Sequence, residues 1–297
     1  MLILAGDVCD DLATLERTLS LLASRFARLF YCLGNHELWV RSADRADGVR
    51  DSLAKAALVL AACERLGVAT TPQRLGDTWV APLHSWHHSS WDCDPDVPGV
   101  PAAGAWTVAD YAACAWPPRL PGGAHQGGEA LAGWWDFVNE GPAWDEMLAS
   151  RPRCDVVSFS HFLPRPELLP EKRFLYFPNL AKAAGSAALG RRVAALRPDI
   201  HVFGHSHFAW DSTLDGELAA TPPGAWQPHV CCWTCKHQRI LRMPRLPARR
   251  RALHPGAAVR AGRAAAPPAD RVLRALHGAS SPGPGGGELA APGDIPV

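Results

Sequence analysis

The sequence has few of the features that mark secreted or membrane proteins. Its nine cysteines are an odd number without the regular spacing of a disulfide scaffold, which favours a reducing compartment. No apolar run approaches the length of a membrane span, so we expect no transmembrane segment. The first six residues lack the basic segment of a secretory signal and lead into Asp7, which indicates a strand. We expect an intracellular, cytoplasmic protein, or an organellar one if a targeting segment precedes Met1.

Length and charge indicate one main domain followed by a basic tail. The 297 residues are 47% hydrophobic, which is enough for a substantial core. The net charge is +1, but residues 236–297 contain eleven basic and three acidic residues, so the preceding body is acidic. From about residue 241 the chain is rich in Arg, Pro, Ala and Gly without periodicity, which predicts disorder. We expect a domain over 1–240 and a solvated tail over 241–297 that does not bind nucleic acid, since it lacks interleaved aromatic residues.

A strand, a helix and a second strand are predicted within the first 33 residues. Leu2–Ala5 is an apolar run that ends in glycine, as in a buried parallel strand. Asp10 or Asp11 can cap the next helix, whose apolar residues recur in steps of three and four. Leu29–Leu33 is the second strand. A right-handed crossover would bring the ends of the two strands together at one edge of a parallel sheet.

The later chain alternates between regular and irregular segments. Residues 84–150 contain seven tryptophans among many Pro and Gly residues, and we predict an irregular insertion held by aromatic packing. The regular segments around it are predicted as a helix at Val49–Leu66, strands at Thr78–Leu83 and Val156–Ser160, a helix at Ala187–Leu196 and a strand at Ile200–Phe203.

Four short motifs place metal-binding side chains directly after apolar runs. They are Gly-Asp-Val-Cys-Asp at 6–10, Gly-Asn-His-Glu at 34–37, His161, and Gly-His-Ser-His at 204–207. Strand ends of this kind meet at the ligand-binding edge of an α/β sheet. A carboxylate can bridge two cations, and mixed amide and imidazole ligation suits Mn, Fe or Zn rather than Ca. The candidate ligands are Asp7, Asn35, His161, His205 and His207.

Each motif also has a structural interpretation. Gly-Asp after a strand is a common turn, Asp10 can be a helix cap, and His161 alone is more often a satisfied polar residue at a strand end. Gly-His-Ser-His is the strongest single signal, because two imidazoles separated by two residues of extended chain point the same way. The cysteines Cys231, Cys232 and Cys235 with His237 lack a second ligand pair for zinc, so buried thiols are favoured there.

In this order the motifs resemble those of the calcineurin-like metallophosphoesterases. That family's signature is Asp-x-His, Gly-Asp-x-x-Asp, Gly-Asn-His-Glu/Asp, a lone His and Gly-His-x-His, and four of these five elements are present. The resemblance covers about residues 1–215 and implies an α/β/β/α sandwich of two packed sheets flanked by helices. The first strand, with its Asp-x-His, would lie upstream of Met1.

The resemblance implies a role for each candidate. Asp7 matches the ligand that bridges two metals, and Asn35, His161 and His205 match the other ligands of one of them. His207 matches a ligand of the second metal, whose site would be weakened because its other ligands come from the Asp-x-His motif. His36 matches the general acid that protonates the leaving oxygen, and Asp10 matches the carboxylate that orients it.

The resemblance also implies the reaction. We expect a metal-dependent phosphoester hydrolase in which a two-metal-activated hydroxide attacks a phosphorylated small molecule or protein. The missing Asp-x-His ligands would impair that activity. The alternative is a truncated or degenerate domain that retains one metal and serves as a non-catalytic binding module.

Overall fold

The structure, a computed structural model, describes residues 1–101, 108–118, 120, 127–208, 210–213 and 229–232. The strands in this part of the chain are β1 (Leu2–Ala5), β2 (Leu29–Cys32), β3 (Gln73–Leu75), β4 (Thr78–Leu83), β5 (Asp155–Ser160), β6 (Ile200–Phe203), β7 (Trp210–Thr213) and β8 (His229–Cys232). The α-helices are α1 (Leu12–Arg25), α2 (Ser42–Ala46), α3 (Ser52–Arg65), α4 (Asp110–Ala113), α5 (Glu129–Phe137), α6 (Pro142–Ser150) and α7 (Ala187–Leu196). The tail predicted over 241–297 lies outside the described residues, as do Cys235 and His237.

The strands form two sheets. Strands β1 and β2 pair in parallel, with Leu2 opposite Leu29 and Ala5 opposite Cys32, which confirms the predicted strand, helix and strand at the start of the chain. The larger sheet has the order β3-β4-β5-β6-β8-β7. Its four inner strands are parallel, and its edge strands β3 and β7 are antiparallel to their neighbours.

The two sheets pack face to face, with helices outside them. Side chains alternate along a strand, so one face of each sheet contributes to the layer between them. That layer is a buried cluster of Phe30, Cys32, Ala69, Val80, Phe159 and Val202, with Ile3 and Ala5 packed against it. Residues on the opposite faces of β1 and β4 belong to a second apolar cluster, which also contains residues of α1, α3 and α7. The predicted two-sheet α/β/β/α sandwich is therefore confirmed.

Helix starts follow local capping chemistry. Asp11 caps α1 by accepting a hydrogen bond from the Thr14 backbone at 2.8 Å, so the cap is Asp11 and Asp10 is left for other contacts. Asp51 caps α3 in the same way through the backbone of Ala54 at 2.8 Å. No helix among the described residues has the length and apolar character that crossing a bilayer requires.

The prediction of an irregular insertion at 84–150 is wrong for its last part. Helices α5 and α6 span most of residues 129–150, because α5 buries Leu131, Ala132 and Trp135 at helical spacing and α6 begins with a proline at its first position. The predicted aromatic packing is present. The Trp116 ring meets Trp86 and Trp135 edge to face, with centroids 4.9 and 6.3 Å away.

Candidate metal centre

Four strand ends bring candidate ligands together. Asp7 follows β1, Asn35 follows β2, His161 follows β5 and His205 follows β6. Ligand atoms of Asp7, His161 and His205 all lie within 4.8 Å of one another. The Asn35 side-chain oxygen lies 2.9 Å from His161 Nε2 and 3.2 Å from His205 Nδ1. The four residues that the sequence predicts for one metal are thus neighbours in the fold.

Glycines allow these strand ends to approach so closely. A Cβ on Gly34 would lie 2.2 Å from Asp7 Oδ1, and one on Gly6 would lie 2.7 Å from His161 Nδ1. Gly204 is similarly tight, with a Cβ position 2.9 Å from the Ala5 carbonyl oxygen. Side chains larger than hydrogen at these positions would push the ligands apart. The glycine that opens each of these three motifs therefore has a packing reason.

Backbone carbonyls orient both imidazoles toward the centre. His161 Nδ1 donates to the Ala5 carbonyl at 2.7 Å, and His205 Nε2 donates to the Ala183 carbonyl at 2.9 Å. The other ring nitrogens therefore carry lone pairs in the neutral imidazoles. These two atoms are 3.1 Å apart, and the Asn35 oxygen forms the third corner of a triangle with them. Converging acceptors repel unless a cation or a proton lies among them, so this donor set fits a metal ion.

The charges of the cluster shift the pKa values of its members. Burial alone would raise the pKa of Asp7, but neighbouring imidazoles, led by that of His161, lower it well below its usual range. Burial alone would lower the pKa of His161, whereas the Asp7 carboxylate raises it above its ordinary value. Burial, followed by the charge of His161, lowers the pKa of His205 to about 3. His205 is therefore neutral at neutral pH and can act as a ligand.

Glu37 is a buried carboxylate whose role the sequence did not reveal. Its Oε2 accepts hydrogen bonds from the backbone of Asp7 at 2.9 Å and Gly34 at 2.7 Å, and its Oε1 accepts from Val8 at 2.6 Å and Cys9 at 3.3 Å. It is fully buried. One side chain thus ties the loop after β1 to the loop after β2 and satisfies four backbone donors.

His207 is not part of the cluster, and the argument from extended chain is wrong. His205 and His207 both have left-handed backbones, with φ of 63° and 58°, so the loop is not a strand there. Within the described residues the group that could hold a metal ion contains Asp7, His161 and His205 without His207. The His207 residue is exposed, and its assignment to a second metal stays a prediction.

His36 and Asp10 lie in different surroundings. His36 Nε2 is 3.8 Å from Asp7 Oδ2, and its ring stacks on Trp39 with centroids 3.7 Å apart and an interplanar angle of 27°. Asp10 instead pairs with Arg41, whose guanidinium nitrogens lie 2.6 and 2.7 Å from Asp10 Oδ2. Among the described residues no hydrogen bond or ion pair joins Asp10 to His36, so Trp39 is the residue seen to hold that imidazole.

A cavity of about 650 Å³ adjoins the His205 loop. Its walls include Trp91, Phe174 and Phe208, and several carboxylates line its rim. Phe208 follows the Gly-His-Ser-His loop, and Ala181 belongs to the 3₁₀ helix Pro178–Ala183 whose last carbonyl binds His205. The cavity thus shares its walls with segments that position a candidate ligand.

Comparison with known proteins supports the architecture. No protein-family profile matches the sequence, and no curated protein does either. Among solved structures, the chain is similar to the phosphopantetheinyl hydrolase from Mycobacterium tuberculosis, with a TM-score of 0.53, 19% identity, and coverage of 78% of this chain and 77% of that one. At this identity the likeness shows the fold alone. The chain therefore shares its α/β fold with that structure.

Proposed function

We propose that the protein is a metal-dependent phosphoester hydrolase. The observation that carries the proposal is the convergence of a carboxylate, an amide oxygen and two imidazoles, each from a different strand end. This mixed donor set suits Mn, Fe or Zn. The fold likeness to a phosphopantetheinyl hydrolase supports the same class. When bound, such a metal polarises a phosphoryl oxygen and lowers the pKa of a water molecule.

The chain's own residues supply orientation and a proton. Asp7, Asn35, His161 and His205 would hold the metal, and carbonyls of Ala5 and Ala183 fix the two imidazoles. Glu37 ties the loop after β1 to the loop after β2, and the glycines allow these loops to approach closely. His36 is half exposed beside Asp7 and lies on the solvent side of the cluster. It can therefore donate a proton to a leaving oxygen that approaches from solvent.

The adjoining cavity favours an organic leaving group. Its volume of about 650 Å³ is in the range of small-molecule sites, and its aromatic walls would pack against carbon rather than against water. We propose an organic phosphoester as the substrate class, whether it is free or attached to a protein.

Metal content tests the proposal directly. After loading with Mn²⁺ or Zn²⁺ and dialysis, we expect the protein to retain about one tightly held equivalent, since one complete donor set is present. The Asp7→Ala, His205→Ala double variant should retain none. The His207→Ala variant should retain this equivalent, because His207 lies outside the group formed by Asp7, His161 and His205. Equal metal in wild type and double variant would overturn the proposal.

The effect of His36 on the hydrolysis rate should depend on the leaving group of the substrate. We expect His36→Ala to slow Mn²⁺-dependent hydrolysis of an alkyl phosphate by about a hundredfold or more, because an alkoxide needs a proton to depart. Hydrolysis of 4-nitrophenyl phosphate should change much less, because nitrophenolate is a good leaving group. Metal content should be unchanged. Loss of metal, or equal slowing of both substrates, would instead make His36 a ligand or a positioning residue.

A one-metal binding module is the second candidate. The observation that favours it is that the assembled cluster matches the ligand set of one metal, whereas His207 lies exposed outside that cluster. The same experiments separate the two. Metal retention with no hydrolysis of 4-nitrophenyl phosphate or bis(4-nitrophenyl) phosphate would support the binding module over the hydrolase.

A further inference from the structure

A buried carboxylate from the insertion reaches the back of the metal cluster. Asp110 is the first residue of α4 and is 1% exposed. Its Oδ1 accepts hydrogen bonds from Asn35 Nδ2 at 2.8 Å and from Trp39 Nε1 at 2.6 Å, and its Oδ2 lies 3.5 Å from His87 Nε2. None of the four sequence motifs contains Asp110. Its contacts connect the insertion to the loop after β2.

Asp110 determines which way the Asn35 amide faces. An amide group has one accepting and one donating end, and the Trp39 indole only donates, so the Asp110 Oδ1 that it contacts is an acceptor. The Asn35 nitrogen must therefore face Asp110, which turns the oxygen toward His161 and His205, 2.9 and 3.2 Å away. The reverse orientation would place the amide nitrogen among the metal ligands, where it cannot bind a cation. One hydrogen bond thus decides whether Asn35 is a ligand.

The surroundings of Asp110 hold its carboxyl group in place. Its Oδ1 is fixed by two donors, Asn35 Nδ2 and Trp39 Nε1. The Trp39 indole is itself held by the stacked ring of His36 on its face. His87 is fully buried and packs against Tyr111 and Phe162, with ring centroids 6.0 and 5.4 Å away. A carboxylate surrounded in this way has little freedom to turn.

We propose that Asp110 is a positioning residue that sets the Asn35 amide oxygen toward the metal. The inference rests on the proposed metal centre, but it concerns a different residue and a different measurement. Residues that orient metal ligands typically contribute about 10 to 100-fold to metal affinity. The role explains why a buried acid lies beside an amide that itself carries no charge.

The test is the dissociation constant of Mn²⁺ or Zn²⁺, measured by competition with a chelator on folded protein. Asp110→Leu, which has a similar branched shape but no acceptor, should weaken binding by at least about tenfold. Asp110→Asn keeps one oxygen that can accept from both Asn35 and Trp39, so binding should stay within about threefold of wild type. Asp145→Leu, in the exposed first turn of α6, is the matched control and should leave the affinity unchanged.

A double-variant cycle shows whether Asp110 acts through Asn35. In an Asn35→Ala background there is no amide to orient, so Asp110→Leu should cause no further loss. If Asp110→Leu does not fold, Asp110→Ser is measured in the same cycle and should lose about threefold or more. Unchanged affinity, an equal loss in the Asn35→Ala background, or an Asp110→Asn loss as large as that of Asp110→Leu would overturn the inference. A wild-type protein that binds no metal would instead overturn the proposed function.

Discussion

Replacing Gly34 with alanine is expected to destabilise the fold by at least about 3 kcal/mol and to remove the metal, because overpacking at this point has no relief. The new Cβ would lie 2.2 Å from Asp7 Oδ1, 2.5 Å from the Asp7 backbone nitrogen and 2.9 Å from Glu37 Oε2. Two of these atoms belong to a ligand and the third to the carboxylate that holds the loops. Either β1 and β2 must separate or Asp7 must leave the cluster.

The measurements are chemical denaturation and metal content after dialysis. Gly133→Ala is the matched control, because its Cβ position in the exposed part of α5 meets no atom within 4 Å. That change should stabilise the protein by up to about 1 kcal/mol through helix propensity. A Gly34→Ala protein with wild-type stability and metal content would show that the loops after β1 and β2 are not packed as described.

Replacing Glu37 with glutamine is expected to destabilise the protein by about 2 to 6 kcal/mol, since two backbone donors, which are buried or partly buried, lose their acceptor. Each carboxylate oxygen accepts from two backbone N–H groups, Oε2 from Asp7 and Gly34 and Oε1 from Val8 and Cys9. Glutamine has a single oxygen, so its amide nitrogen must oppose one of these pairs. The melting temperature should fall by at least about 4 °C.

Metal affinity should fall together with stability. In one of the two orientations of the new glutamine side chain, its amide nitrogen faces the backbone N–H of Asp7, which then has no acceptor. The control is Glu64→Gln on the exposed face of α3, which should change stability by less than about 0.5 kcal/mol. If Glu37→Gln matched that control, the four hydrogen bonds would have to be replaceable by water, and Glu37 would not hold the two loops together.

Local patterns were enough to predict the elements that deliver the ligands. Strands β1, β4 and β6 and helix α7 have the predicted bounds, and α3 lies inside the predicted range Val49–Leu66. Apolar runs ended by glycine and helical spacing of apolar residues are visible over a few positions. The order of the four motifs then predicted the neighbours Asp7, Asn35, His161 and His205.

Side-chain partners were decided by the tertiary structure. The sequence offered Asp10 as a helix cap or as the partner of His36, and in the fold it pairs with Arg41. The prediction that His205 and His207 point the same way assumed an extended backbone, but both residues have positive φ values. The insertion was predicted as irregular because its Pro and Gly residues obscure the helical spacing of α5 and α6. In each case several local geometries were compatible with the same residues.

The sequence by itself therefore determined the strands that end in glycine and which four residues could hold a metal, because these signals are local, and the resemblance of its motifs implied the two-sheet architecture. Only the tertiary structure decided what orients those residues. Glu37 reaches Asp7 across 30 positions and Asp110 reaches Asn35 across 75. Contacts between such distant residues leave no periodicity or spacing in the chain, since they depend on how separate elements pack. The acceptors that orient the candidate metal ligands come together only when the sheets and the insertion pack.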